Sequence, residues 1–564
     1  MAISSILNRI YSEDKAKLAL QNISTLIQEF NQTVGNQKEQ SKSGYFSEDQ
    51  VVLITYADSL KRSNERPLET LNRFACQHLK DVFSTIHLLP FFPYSSDDGF
   101  SVKDFYAVDP AVGNWDDIQT LTKGFDLMFD FVLNHISAKS QWFNDYLNAK
   151  PGFENLAIEV SPTTDLSQVT RPRALPLLTP FQKQSGKTVH VWTTFSDDQI
   201  DINYQDIDIL IKMIKILLFY VKQGATIIRM DAIAYLWKII GTSCIHLQPT
   251  HDIVKLFRAI LDQVAPHVIL LTETNVPHAE NISYFGQGDE AQMVYNFTLP
   301  PLLLYSFISE NTTVLSDWAK KLTVPSNNQT FFNFTASHDG IGVRPLEGIL
   351  PDSAIDEIIQ VVLNNGGKVS YKHNPDGSQS PYELNLTYVD AMRPANNDPI
   401  EHAKRFLASQ SIQLVLPGVP GIYIHSILGS HNWHDGVKQT GRARTINREK
   451  LSYDNLENEL LDSKGFRSTI FNAYCNMITL RRKQPAFHPN ATFIIHSIHP
   501  NVFVIQRTCD TQSIVAMTNV SNRSIDLSIH PLTLPKTMRD ILSGSEIQTD
   551  SIVLGPYDMI WLTE

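Results

Sequence analysis

The sequence predicts an α/β fold: a (β/α)8 TIM barrel with insertions after strands three and seven and a small C-terminal antiparallel β domain. Two patterns carry that expectation. From residue 51 onward, short apolar runs rich in β-branched and aromatic residues alternate with helical stretches, as parallel strands with crossover helices do. From about residue 485 the helices stop and strand-forming runs follow one another, among them Phe503-Val504-Ile505-Gln506 and Ile514-Val515-Ala516-Met517.

Residues 1–50 come first, as a helical extension. Ile23, Leu26, Ile27 and Phe30 have helical spacing, and a polar stretch at 31–43 follows. The catalytic barrel is expected over 51–484. Its first strand is Val51 to Tyr56, followed by a helix near 67–80. The second is Thr85 to Leu89, stopped by Pro90, and the loop 91–100 is polar and aromatic. A helix near 115–123 leads to a third strand, 125–131, which delivers Asn134-His135. Residues 140–205 break the alternation and read as an inserted subdomain. A helix at 206–223 precedes the fourth strand, Thr226-Ile227-Ile228-Arg229-Met230-Asp231. A helix at 250–264 and the run Val268 to Glu273 give the fifth. Met293 to Phe297 and Phe331 to Thr335 give the sixth and seventh, and a second insertion occupies about 340–395. A helix at 399–412 then precedes Gln413-Leu414-Val415-Leu416, expected as the eighth strand and stopped by Pro417. A helix near 466–483 ends the barrel, and residues 485–564 form the β domain.

The bulk composition narrows the function. The 564 residues are 42% hydrophobic and 19% charged, an ordinary globular balance. A formal net charge of -12 argues against a nucleic-acid binder, which wants a basic face. No apolar run is long enough to span a membrane, and Met1 to Leu20 has no signal-peptide core, so a cytoplasmic location is expected. Cys76, Cys244, Cys475 and Cys509 are far apart, without a CxxC pair, which points to free thiols rather than zinc. A monomer or homodimer is expected.

Three acids end apolar strands: Asp231 after the fourth, Glu273 after the fifth and Asp339 after the seventh. In such barrels the strand C-termini build the active site. One Arg-x-Asp at a strand tip is commonly a salt bridge, but three acids converging on one barrel mouth are more economically catalytic. Paired carboxylates suit glycosidic cleavage. One attacks the anomeric carbon, and the other protonates the leaving oxygen; retention of configuration asks for about 5–5.5 Å between them. The acid must hold its proton near neutral pH, while Arg229, two residues from Asp231, keeps the nucleophile ionised.

Several runs resemble the α-amylase superfamily, glycoside hydrolase family 13: Arg229-Met230-Asp231-Ala232, Leu271-Thr272-Glu273-Thr274, Ala336-Ser337-His338-Asp339 and Asp130-Phe131-Val132-Leu133-Asn134-His135. Its sucrose phosphorylase branch is resembled more closely, in Ile54-Thr55-Tyr56-Ala57-Asp58, His87-Leu88-Leu89-Pro90-Phe91-Phe92-Pro93, Gly113-Asn114-Trp115-Asp116-Asp117 and Leu299-Pro300-Pro301-Leu302-Leu303-Leu304. The resemblance implies Asp231 as nucleophile, Glu273 as acid/base and Asp339 as transition-state stabiliser. It implies glucosyl contacts from Asp97, His135, His338 and Arg448, with Phe100 as a stacking platform. Asn134 stands where many amylases bind calcium, an ion the branch generally lacks, so no metal or cofactor is expected. His431 and His434 read as acceptor-site or surface residues rather than a metal pair.

The loop 436–450 holds five basic residues and one acid in an acidic protein. Lys438, Arg442 and Arg444 are its candidate phosphate and acceptor groups, since Arg suits bidentate contacts to phosphate. The implied activity is a retaining α-glucoside phosphorylase that passes a glucosyl group to inorganic phosphate. The motifs 171–178, 277–286 and 426–450 resemble a subgroup that acts on glucosylglycerate or sucrose 6-phosphate. Glucosylglycerate is the expected donor, with sucrose or its 6-phosphate as alternatives. A family-13 hydrolase or transglucosylase and a non-catalytic sugar-binding protein are the rival readings.

Overall fold

A computed structural model describes residues 2–34, 44–172, 175–373, 378–527 and 532–564. Eight parallel strands close into a barrel in chain order: Val52–Thr55, Thr85–Leu88, Asp126–Val132, Ala225–Asp231, Ile269–Thr272, Met293–Tyr295, Thr330–Phe334 and Val419–Tyr423. Closure is between the first and eighth, where Val52 faces Gly421 and Ile54 faces Tyr423. The apolar runs are continuous because each strand is covered on both faces, by the barrel interior and by the helices outside. Helix Ile207–Lys222 shows how deep that cover is, with eleven of its sixteen residues buried.

The eighth strand corrects the sequence expectation. Gln413-Leu414-Val415 is the last turn of helix Pro399–Val415, and the strand begins at Val419. The true strand contains Pro420 and Gly421, both poor strand formers, which hid it. Gly421 is required by close approach: a Cβ there would sit 2.3 Å from the Phe332 ring on the seventh strand.

Two insertions overhang the C-terminal mouth. Between the third and fourth strands lie helix Gln141–Leu147 and a hairpin of Leu178–Gln182 with Thr188–Trp192. There too, Gln199–Asp201 pairs with His135–Ser137 at the tip of the third strand. After the seventh strand, Ile341–Gly342, Lys368–His373 and Gln379–Asn385 form a three-stranded sheet. Arg173 and Ala174 of the 171–178 motif, and residues 35–43 of the polar stretch, lie outside the described residues.

The N-terminal helices Ile3–Ile10 and Glu13–Val34 pack on the barrel's outer helices. The hydroxyl of Tyr11 donates to the Tyr204 carbonyl at 2.6 Å, and the Arg9 guanidinium bonds Asp252. At the other end, six strands from Thr492 to Thr563 form the C-terminal sheet. Two buried arginines mark its junction with the barrel, Arg507 on the sheet itself and Arg481 at the end of helix Phe466–Arg481. Arg507 donates to the Val415 carbonyl at 2.8 Å, and Arg481 to Leu414 at 2.9 Å and to Gly418. Both guanidiniums meet the negative end of helix Pro399–Val415. Burial without a carboxylate partner pushes each down to about 9. No helix among the described residues is long and apolar enough to cross a membrane.

Candidate active site

The strand register sets the first contacts. Asp130 on the third strand lies directly opposite Arg229 on the fourth, and both side chains are buried in the barrel. The Arg229 guanidinium bonds Asp130 and, at 2.7 Å, Asp231; its Nε donates to the Tyr295 hydroxyl at 3.2 Å. Asp130 is held in turn by His87, 2.7 Å away. A buried cation thus rests on two carboxylates, with the second, Asp231, presented at the mouth. Burial pushes the Asp231 carboxyl up, and Arg229 is the largest influence pulling it back.

Chain reversal after Asp231 brings in Glu273. Ala232 adopts the left-handed conformation, φ 50°, a conformation that costs a non-glycine residue about 1–2 kcal/mol. Its N–H then donates to Glu273 Oε2 at 3.1 Å. The two acids are therefore linked through one peptide group. Among the described residues no cation pairs with Glu273. Its recessed position pushes the carboxyl up to about 7, with Asp231 and Asp339 adding to the shift against Arg229. Of the two neighbours, Asp231 is the one bonded to a guanidinium, and Glu273 the one pushed up to about 7.

Asp339 has the opposite surroundings. Burial raises its carboxyl, but the Arg444 and Arg448 guanidiniums outweigh burial and hold it well below the usual carboxylate range. Arg444 Nη1 is 2.6 Å from Asp339 Oδ1, and the same guanidinium grips Glu383 through two nitrogens, at 2.8 and 3.0 Å. His338 stacks on Phe100, rings parallel within 6° and 4.7 Å apart. Burial keeps the imidazole neutral, down at about 3. Its Nδ1 is buried without a hydrogen-bond partner among the described residues, which leaves a polar atom for a ligand.

The loop Asp97–Gly99 is left-handed at three successive residues, with φ 55°, 49° and 110°. Such strain persists where surrounding structure imposes it. Gly99 is needed, since a Cβ would lie 2.6 Å from the Pro90 carbonyl oxygen. The turn carries Asp97 and Phe100 into the pocket. It sends Asp98 outward to Arg448, whose Nε also donates to the His338 carbonyl at 2.7 Å. His135 lines the pocket with its Nε2 2.8 Å from the Phe100 carbonyl, which orients the ring.

Together these groups enclose a narrow chamber of about 80 Å³, containing Asp231, Glu273 and Asp339 with Asp97, Phe100, His135 and His338. A wider chamber of about 450 Å³ shares Asp97, Tyr382, Glu383 and Arg444 with it as a common wall. Arg448 and Arg442 line the wider one. Lys438 lines neither. It lies on helix His434–Thr440, is three-quarters exposed and pairs with Asp435. The sequence-expected basic loop is thus partly helical, and the helix carries Lys438 to its outer face. His431 and His434 line a separate surface hollow, where His431 is bonded to Asp390 at 2.7 Å.

Gln199, Phe195, Tyr382 and Glu383 also line the narrow chamber. They lie on the insertions, where no strand-tip pattern marks them. Asn134, beside His135, is already engaged: its Oδ1 accepts from Lys238 Nζ at 3.1 Å, and the same ammonium pairs with buried Asp201. A lysine thus supplies positive charge at the position that suggested calcium. Among the described residues no group of three or more metal-ligating side chains is found.

Known proteins match the chain in sequence and in fold. The family model for the α-amylase catalytic domain covers residues 56–340. The chain belongs to the α-amylase family. Within that family it is 46% identical over 562 residues to the glucosylglycerate phosphorylase of Escherichia coli (strain K12), covering 99% of both chains. It is 48% identical over 527 residues to that of Spirochaeta thermophila, covering 91% of this chain and 89% of the relative. The crystal structure of sucrose 6F-phosphate phosphorylase from Thermoanaerobacter thermosaccharolyticum superposes with a TM-score of 0.73 at 25% identity, covering 84% of this chain and 94% of that one. The chain is thus a family-13 member whose near relatives are glycoside phosphorylases.

Proposed function

We propose that this protein is a retaining α-glucoside phosphorylase whose donor is glucosylglycerate. The observation that carries the chemistry is the unequal pair at the fourth and fifth strand tips. Asp231 is bonded to a buried guanidinium, while Glu273 beside it is pushed up to about 7. One carboxylate is charged and nucleophilic; the other holds a transferable proton. The nearly full-length similarity to curated glucosylglycerate phosphorylases supports the choice of donor.

In the first half-reaction an Asp231 oxygen attacks the anomeric carbon. The bond to the glycerate oxygen breaks, and Glu273 delivers its proton to that oxygen. Glycerate leaves, and a β-glucosyl ester on Asp231 remains. Asp339, kept ionised by Arg444 and Arg448, faces the positive charge that develops on the sugar ring. In the second half-reaction a phosphate oxygen attacks the same carbon from the vacated side. Its proton goes to Glu273, the ester bond breaks, and α-glucose 1-phosphate leaves with retained configuration. Asp97, His135 and His338 hold the glucosyl hydroxyls against Phe100, while Arg448, which lines the wider chamber, steadies His338 through its carbonyl. The small volume of that chamber suits one terminal sugar rather than a polymer.

The test is product formation from glucosylglycerate with and without phosphate. The proposal expects α-glucose 1-phosphate in proportion to glycerate released, rising saturably with phosphate. Free glucose at a phosphate-independent rate would make the protein a hydrolase. Turnover of sucrose or sucrose 6-phosphate in preference to glucosylglycerate would reassign the donor.

A further inference from the structure

We infer that Arg442 reads the negative charge of the acceptor: it holds the carboxylate of glycerate and, in the alternate half-reaction, phosphate. The inference rests on the phosphorylase reading above and assigns specificity to one side chain of the wider chamber.

Charge accounting in that chamber leads to it. Among the described residues five carboxylates and three guanidiniums line the walls, so this lining is acidic on balance. An anion would be repelled unless a cation is free to meet it. Two of the three guanidiniums are committed. Arg444 is half-buried in a three-way arrangement with Asp339 and Glu383. Arg448 is paired with Asp98 and donates to the His338 carbonyl. Lys450, the next basic residue along the chain, is bonded to Asp58. The Arg442 side chain has no ion pair or hydrogen bond among the described residues and is exposed to the chamber.

Its backbone is anchored. The Arg442 N–H donates to Thr440 Oγ1 at 3.2 Å, and the turn Ala443–Asn447 that follows is fixed by Asn447, which donates to the Ser337 and Asp339 carbonyls. The guanidinium thus stands beyond the common wall, on a segment tied to the catalytic loop after the seventh strand. Both acceptors need one group in common: a planar or tetrahedral oxyanion attached to, or itself being, the attacking oxygen. A guanidinium offers paired N–H donors to either. Neutral acceptors of similar size gain nothing from it.

α-Glucosyl fluoride isolates this effect, because its leaving group is too small to engage the wider chamber. With that donor, the kcat/KM for glycerate is compared with that for glycerol, and the partition of the glucosyl-enzyme between phosphate and water is measured in parallel. Each is a ratio within one variant, so a general loss of activity cancels. Arg442→Ala is expected to lower both ratios by ~10- to 100-fold, the worth of one charge-assisted contact. Arg442→Lys is expected to restore part of each. Unchanged ratios in Arg442→Ala and Arg442→Lys overturn the inference. If the unsubstituted protein transfers to phosphate but not to glycerate, the donor assignment fails, and the phosphate-to-water ratio still decides the role of Arg442.

Discussion

The narrow chamber and the wide one differ in where their polar groups come from and in how those groups are held. In the narrow chamber the acids sit at strand tips, and their charges are set by fixed ion pairs: Arg229 against Asp130 and Asp231 inside the barrel, and Arg444 against Asp339 and Glu383 at its mouth. In the wide chamber the lining comes from insertions and loops, and Arg442 stands without a partner among the described residues. A pocket for one fixed sugar can be committed in advance. A chamber that receives two different anions in turn keeps a cation in reserve. The shared wall of Asp97, Tyr382, Glu383 and Arg444 separates these two tasks.

The largest expected effect breaks the committed side. Asp231→Asn keeps the shape but removes the nucleophilic charge, and kcat for glucosylglycerate phosphorolysis should fall by ~10⁴-fold or more, as for other attacking groups. Steady-state assay with and without phosphate reads this; residual activity within tenfold of the parent would show that another group forms the intermediate.

Next comes the support beneath that side. Lys238→Met leaves Asp201 buried without its cation and frees Asn134. Removing one partner of a buried pair costs about 3–5 kcal/mol, so the thermal midpoint should drop clearly. Calorimetry should also show a weaker donor KM, since Asp201 lies in the ribbon that pairs with His135. A melting curve that does not move would mean that water replaces the ammonium at no cost.

A pH profile sharpens the difference between the two acids. Glu273 must be protonated to expel glycerate, and its carboxyl is pushed up to about 7. Its protonated fraction falls above that pH, so kcat/KM for glucosylglycerate should decline about tenfold per unit on the alkaline side. α-Glucosyl fluoride needs little proton delivery and should lack that limb. Glu273→Gln should remove the limb for the glucoside. A limb that persists in this variant would assign it elsewhere.

The smallest expected effect lies outside both chambers. Lys438→Ala should change neither transfer nor phosphorolysis by more than about twofold, because exposed pairs such as Lys438 with Asp435 contribute little. A loss of phosphate affinity in this variant would place the helix His434–Thr440 over the mouth.

The same division explains what was legible in the sequence. Strand-tip acids announce themselves because a charged residue ending an apolar run is unusual, and so Asp231, Glu273 and Asp339 stood out. Their partners on the barrel strands, Arg229 and Asp130, share that signal. Glu383 and Gln199 carry none: they lie on insertions with no periodicity, and only the folded chain brings Glu383 to Arg444 and Gln199 to the Phe100 carbonyl. Basic residues within one loop looked equivalent in sequence. Folding separates them, turning Lys438 outward, pairing Arg444 with two acids and leaving Arg442 open. The eighth strand was hidden for a local reason, since Pro420 and Gly421 weaken the strand pattern that Gln413 to Leu416 imitates within a helix.

The central claim is a glucosyl ester on Asp231 that forms from α-glucose 1-phosphate with release of phosphate and is cleaved again by phosphate. Isotope exchange tests it most directly. The protein is incubated with α-glucose 1-phosphate and isotopically labelled inorganic phosphate, with no glycerate or other sugar acceptor present. The account predicts that label enters α-glucose 1-phosphate under these conditions, and that Asp231→Asn abolishes the exchange. Exchange that appears only when glycerate is added would contradict the covalent intermediate.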